Sequence, residues 1–145
     1  NALVQADESP KGARPRHYDE SADGCKQISD ELITAKKENK RVLRQFGVNW
    51  CGWCHRLHKL FETDAGIGER LKSEYVVVLI DVNEGRNKIV DAKYEHPVRF
   101  GLPAIVVLDA EGKLLTTKNT AELEEGDHHS PEKVLAFLKE WAPKK

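Results

Sequence analysis

The run "YVVVLIDV", Tyr75 to Val82, constrains the fold more than any other stretch of the chain. Seven of its eight residues are apolar and most are β-branched. A strand apolar on both faces needs cover on both sides, so it suits the centre of a sheet with helices above and below. At 145 residues, the chain is long enough to bury about two-thirds of the surface its unfolded form exposes. One domain with a real core is expected.

The segments around this run supply the cover. Residues 1–20 hold two prolines and many charges without periodicity and read as a flexible N-terminal arm. The domain proper is expected over 21–145. Ile28, Leu32, Ile33 and Ala35 recur at helical spacing and predict a helix over about 22–39. Cys25, at its start, is expected to be a small buried residue. "RVLRQFGV" predicts a short strand ending at Gly47. Leu57, Leu60 and Phe61 continue a helical period, and Ile67 and Leu71 mark another helix. "RNKIVDAKYEH" is a short amphipathic helix. "LPAIVVLDAEGKLLTTK" is a strand, a turn at Asp109–Gly112 and a second strand, hence an antiparallel hairpin. In "SPEKVLAFLKEWAP", Ser130 is an N-cap, Pro131 stands at N1, and Val134, Leu135, Leu138 and Trp141 form the buried stripe. The acidic "AELEEGD" and His128-His129 read as a solvated loop. The first two strands, joined through helices, should be parallel. The sum is an α/β domain: a four-stranded mixed sheet sandwiched by helices, with an N-terminal helical extension.

Charge and composition narrow the function. The formal net charge of −1 supplies no field for nucleic acid or an anionic membrane. No apolar run approaches the ~20 residues of a membrane span. The chain has no Met, and removal of a signal peptide is expected, which implies a periplasmic or secreted protein. Three cysteines are too few for a disulfide scaffold. One close pair and one spare thiol fit better.

The pair lies in "VNWCGWCHRLH", Val48 to His58. Cys51-Gly52-Trp53-Cys54-His55 satisfies a redox C-x-x-C, a C-x-x-C-H haem signal and, with His58, a two-Cys two-His zinc set. A haem needs an open apolar pocket, and the motif sits between a buried strand and a helix. Its second axial ligand would be a histidine, because no Met exists. Four ligands from two turns of one straight helix surround a single ion poorly, so no structural metal is expected. The redox reading agrees best with the alternating strands and helices. Cys51 at a helix start meets unpaired backbone N–H groups and the positive end of the macrodipole, which stabilise a thiolate. Cys54 lies one turn on, on the same face. Trp50 and Trp53 suggest a partly exposed, ligand-facing surface around the pair.

"VLRQFGVNWCGWC" and "RFGLPAIVVLDAEGKLL" together resemble the thioredoxin-like superfamily, over about Ala22 to Trp141, and exported bacterial members in particular. The resemblance implies a thioredoxin fold and a cis bond at Leu102-Pro103, with Pro103 facing the sulfurs and the Leu102 backbone pairing with an extended substrate segment. It implies a thiol–disulfide oxidoreductase, more a reductase than an oxidant, in which Cys51 attacks and Cys54 resolves. Trp50, Trp53, Leu102 and Pro103 would hold a disulfide-containing protein substrate. A redox partner would recycle a monomeric enzyme that needs no cofactor. Two departures stand out. The family's buried Asp in the strand before the motif is here Gln45, which carries no titrating proton, and the dipeptide between the cysteines, Gly52-Trp53, lacks the family's proline. His55 is the candidate proton relay in place of the missing acid. A thioredoxin-like binding module, with or without a bound metal and without redox turnover, is the alternative.

Overall fold

A computed structural model describes residues 17–144. Residues 1–16 of the expected arm lie outside them. Five helices and six strands follow in the order α1 (Gly24–Glu38), β1 (Arg41–Gly47), α2 (Gly52–Thr63), α3 (Ala65–Glu74), β2 (Tyr75–Asp81), α4 (Lys88–Lys93), β3 (Ala104–Leu108), β4 (Leu114–Asn119), β5 (Glu124–Glu125), β6 (His128–His129) and α5 (Pro131–Glu140). Short 3-10 turns connect β2 to α4, α4 to β3 and β4 to β5.

The main sheet runs β2-β1-β3-β4. β1 and β2 are parallel, in register from Arg41 opposite Tyr75 to Gly47 opposite Asp81. β3 is antiparallel to β1 and to β4. This is the mixed sheet expected from the sequence. Period-two alternation sorts its side chains into two cores. Leu43, Tyr75, Ile105 and Val107 face α2, α3 and α5, meeting Leu57, Phe61, Ile67, Leu71, Val134, Phe137 and Leu138. Val42, Phe46, Val78, Ile80, Val106 and Leu108 face α1 and α4, meeting Ile28, Ala35 and Val90.

Local chemistry sets the helix ends. Asp23 caps α1 by accepting from the backbone N–H groups of Cys25 and Lys26. Asp64 closes α2 and caps α3 through the N–H of Ile67. Ser130 caps α5, with Pro131 at its first position.

Three expectations are corrected. Ile33 is 70% exposed, because the stripe of α1 that meets the sheet runs through Gly24, Ile28 and Ala35. Cys25 is exposed, for it follows the first residue of that stripe and is turned about 100° away by the helical period. The acidic loop is in part a ribbon, with Glu124 opposite His129 and Glu125 opposite His128 across Gly126. His129 is buried there, since the ribbon lies against α2.

Candidate functional site

β1 ends at Gly47 and the chain turns through Val48, Asn49 and Trp50 into α2. The N–H of Cys51 donates to the Val48 carbonyl at 3.2 Å, which tightens the turn and places Cys51 as the N-cap of α2 rather than within its first turn. Its Sγ accepts from the backbone N–H of Cys54 at 3.1 Å. A sulfur replaces the oxygen that usually caps a helix, and the orphan N–H groups point at it.

The two thiols are therefore unequal. The Cys51 pKa is lowered from 9.0 to about 7, first by the hydrogen bond from the Cys54 thiol, then by the N–H groups of Cys54 and Trp53 and the charge of Arg56, against an opposing contribution from partial burial. Cys54 is buried at the start of the core stripe that continues through Leu57 and Phe61. Its pKa is pushed strongly upward, first by its hydrogen bond with Cys51 and then by burial. All three cysteines are free thiols.

The opposite wall is the segment before β3. The Leu102–Pro103 peptide is cis. The Leu102 carbonyl stands 3.9 Å from Cys51 Sγ, and the Pro103 carbonyl accepts from the buried Thr120 hydroxyl at 2.5 Å. Gly101 enters this segment at φ +95, a conformation that side chains rarely adopt. The sequence expectation grouped Cys51, Leu102 and Pro103, and the tertiary fold brings the first two together across 51 positions of chain.

Two tryptophans flank the pair and differ in setting. Trp50 is 59% exposed, and its Nε1 donates to Asn83 Oδ1 at 2.9 Å. Trp53 is half-buried, with the Arg56 guanidinium 4.7 Å from its ring centroid and the His129 ring edge-on at 5.1 Å. His129 has no hydrogen-bond partner at either ring nitrogen among the described residues. Its pKa is lowered to about 4, by burial first and then by Arg56 and His128.

The N-terminal segment also reaches the site, through residues that sequence periodicity did not single out. His17 stacks on His58 at 3.9 Å and lies edge-on to His55 at 5.2 Å. Burial, then His58 and His55, lower the His17 pKa to about 4. His55 Nε2 hydrogen-bonds the Asn49 carbonyl. Tyr18 is 2% exposed. Its hydroxyl accepts from Gln45 Nε2 at 2.5 Å and lies on the same side of Gly47 as the Cys54 sulfur. Gly47 makes room for this meeting: a Cβ there would stand 2.5 Å from the Tyr18 hydroxyl and 2.8 Å from Cys54 Sγ. No signal in "PRHYDESAD" could have flagged Tyr18, since a lone aromatic in a charged segment has no period to reveal its burial.

Among the described residues, no three His, Cys, Asp or Glu side chains are arranged to hold a metal ion, and no helix is long and apolar enough to cross a membrane.

Comparison with known proteins places this geometry in a family. A crystal structure of a disulphide isomerase from Xylella fastidiosa Temecula1 superposes with a TM-score of 0.78 at 32% identity, covering 88% of this chain and 98% of that one. The reduced C-terminal domain of DsbD from Neisseria meningitidis, at 17% identity and a TM-score of 0.58 over 81% of this chain and 96% of that one, shares the fold. Thiol:disulfide interchange protein DsbD of Colwellia psychrerythraea is 30% identical over 94 residues, 65% of this chain. The match spans only 15% of that longer protein. The model of the thioredoxin-like domain matches residues 28–139, and the chain belongs to that family.

Proposed function

We propose that the chain is a thiol–disulfide oxidoreductase. The observation that carries this reading is the asymmetry of the pair: a half-exposed Cys51 with a pKa of about 7 beside a buried Cys54 held as a thiol. Near neutral pH about half of Cys51 is then thiolate, the attacking form. The thiolate attacks one sulfur of a substrate disulfide, displaces the other as a thiolate, and forms a mixed disulfide on Cys51. Cys54 then attacks Cys51 Sγ and the second substrate sulfur leaves. Two electrons pass from the pair to the substrate, and the electrons reside only in sulfur, so the reaction needs no cofactor.

The preferred direction is reductive. A nucleophile at about 7 resembles reductants of this chemistry, whereas strong oxidants stabilise their thiolate down to about 3.5. Trp50, Trp53 and the Leu102–Pro103 segment form the substrate surface, with the Leu102 backbone available to an extended peptide. His55 follows Cys54 directly and is a candidate for handling its proton. Its Nε2 is engaged by Asn49, which leaves Nδ1, unpartnered among the described residues, for that role. The likeness to DsbD supports recycling by a redox partner protein and work in an exported compartment, where substrate disulfides persist.

The test is dithiol-driven reduction of a protein disulfide such as insulin, with Cys51→Ser and Cys54→Ser as controls. Turnover by the wild type alone is expected, together with a reduction potential nearer about −270 mV than about −120 mV. Absence of turnover in the wild type would replace this reading with a binding module whose cysteines do not cycle.

A further inference from the structure

We propose that the Tyr18 hydroxyl is a catalytic hydrogen-bond donor to Cys54, stabilising the thiolate of that residue as it resolves the mixed disulfide. The inference rests on the redox reading above and extends it to a residue outside the matched domain.

The difficulty it solves is physical. Cys54 is fully buried, and a buried thiol ionises only if something replaces the solvation that its anion loses. The Tyr18 hydroxyl and the Cys54 sulfur border the same point above Gly47, where a Cβ would stand 2.5 Å from one and 2.8 Å from the other, and hydrogen bonding from the Val48 N–H and from this hydroxyl favours the Cys54 anion. The hydroxyl is aimed. Gln45 Nε2–H donates to the Tyr18 oxygen, so the phenol's own hydrogen is free to point at the sulfur. The chain of donors runs Gln45 to Tyr18 to Cys54, and each step polarises the next. Gln45, which carries no titrating proton, thereby orients a group instead of ionising.

The phenol is also held in place. Asn49 Oδ1 accepts from the Tyr18 N–H and Asn49 Nδ2 donates to the Tyr18 carbonyl, both at 2.9 Å. Gly47 supplies the space in which the hydroxyl and the sulfur meet. Tyr18 keeps its proton throughout, since burial and the neighbouring thiols raise its pKa well above the ordinary value.

The resolving step balances as follows. The proton leaves Cys54 for His55 Nδ1, the acceptor named above, and passes to solvent as Cys54 Sγ attacks Cys51 Sγ. The Cys51–Cys54 bond forms as the bond to the substrate sulfur breaks, and the departing alkyl thiolate takes a proton from solvent.

The experiment uses the full chain with Cys25→Ser and an aryl disulfide, bis-nitrothiobenzoate, whose released thiolate is coloured. The first phase, proportional to reagent, reports attack by Cys51. The second, independent of reagent, reports resolution by Cys54. Tyr18→Phe keeps the ring and removes only the hydroxyl. At neutral pH it should slow the second phase by about tenfold or more, the usual worth of a hydrogen bond to an anion, and move its inflection to higher pH. The first phase should not change. Gln45→Leu, which leaves the phenol but unaims it, should slow the second phase by a smaller factor.

Other titratable or charged groups around this end of the sheet are Cys51 at the N-cap of α2, His55, Arg56 and His58 on α2, His17 and Glu20 on the N-terminal segment, Asp81 at the end of β2 and Arg86 after it. Wild type and Tyr18→Phe share them all, so the difference between the two profiles isolates the hydroxyl. A second phase in Tyr18→Phe with the wild-type rate and inflection overturns the proposal and leaves the redox reading standing. A wild-type protein with a first phase and no second overturns both.

Discussion

The side chain of Asn49 pairs with the backbone of Tyr18 through two hydrogen bonds of 2.9 Å, accepting at Oδ1 and donating from Nδ2. An amide side chain thus imitates the edge of a strand. It ties the N-terminal segment to the turn that delivers Cys51.

Asn49→Ala should free this segment. Two buried hydrogen bonds disappear, and the backbone groups of Tyr18 lose their partners, so stability should fall by about 1–3 kcal/mol. Urea unfolding at neutral pH measures it. Asn49→Asp retains the acceptor but sets a buried carboxylate oxygen against the Tyr18 carbonyl and Glu20, so its loss at neutral pH should be no smaller. Equal stability of Asn49→Ala and wild type would show that the segment is not held this way.

Gly47→Ala should disturb the resolving half of the site by crowding both the Tyr18 hydroxyl and the Cys54 sulfur. The added Cβ would stand 2.5 Å from the Tyr18 hydroxyl, 2.6 Å from its ring carbon and 2.8 Å from Cys54 Sγ. Overpacking of this kind costs about 1–3 kcal/mol. Unchanged urea stability would show that the space around Cys54 is more open than described.

Alkylation should separate the thiols by pH. With Cys25→Ser removing the exposed third thiol, iodoacetamide should modify Cys51 with a rate that is half-maximal near pH 7, the pKa its hydrogen bonds give it. Cys54 should stay unmodified well above that pH. Arg56→Ala should raise the Cys51 midpoint, because the guanidinium favours the anion. Comparable rates at the two cysteines would remove the basis for their different roles.

His129 should make the fold acid-sensitive. Its pKa is about 4 in the folded chain against 6.5 as a free side chain. Between those values the unfolded chain binds a proton that the folded one refuses. The stabilisation by neutral His129 is complete above pH 6.5 and is lost as pH falls towards 4, up to about 3 kcal/mol. His129→Leu keeps the apolar contact with Trp53 and cannot protonate. The gap in urea stability between variant and wild type should therefore shift in favour of the variant on going from neutral pH to about pH 4. A constant gap across that range would refute it.

The sheet was legible because its strands obey simple patterns. "YVVVLIDV" carries cover on both faces in its composition, and the turn at Asp109–Gly112 announces the hairpin. The helix signals held at Ser130 and Pro131. They misplaced Ile33 and Cys25, because helical spacing fixes which residues share a face but not which of two adjacent faces meets the sheet. His129 escaped for a related reason: two adjacent histidines in a strand point to opposite sides, and only the packing of the ribbon on α2 buries one of them.

The sequence by itself determined the α/β class, the parallel first pair of strands, the final hairpin and the position of Cys51 at a helix start, since hydrophobic period, turn residues and capping act between near neighbours in the chain. Tertiary structure alone decided what surrounds the two sulfurs. Leu102 reaches Cys51 across 51 positions, and Tyr18 reaches Gln45 across 27. Contacts over such separations leave no local pattern. They exist because the sheet order sets the start of β3 beside the end of β1, and because Gly47 has no side chain to keep the phenol from Cys54.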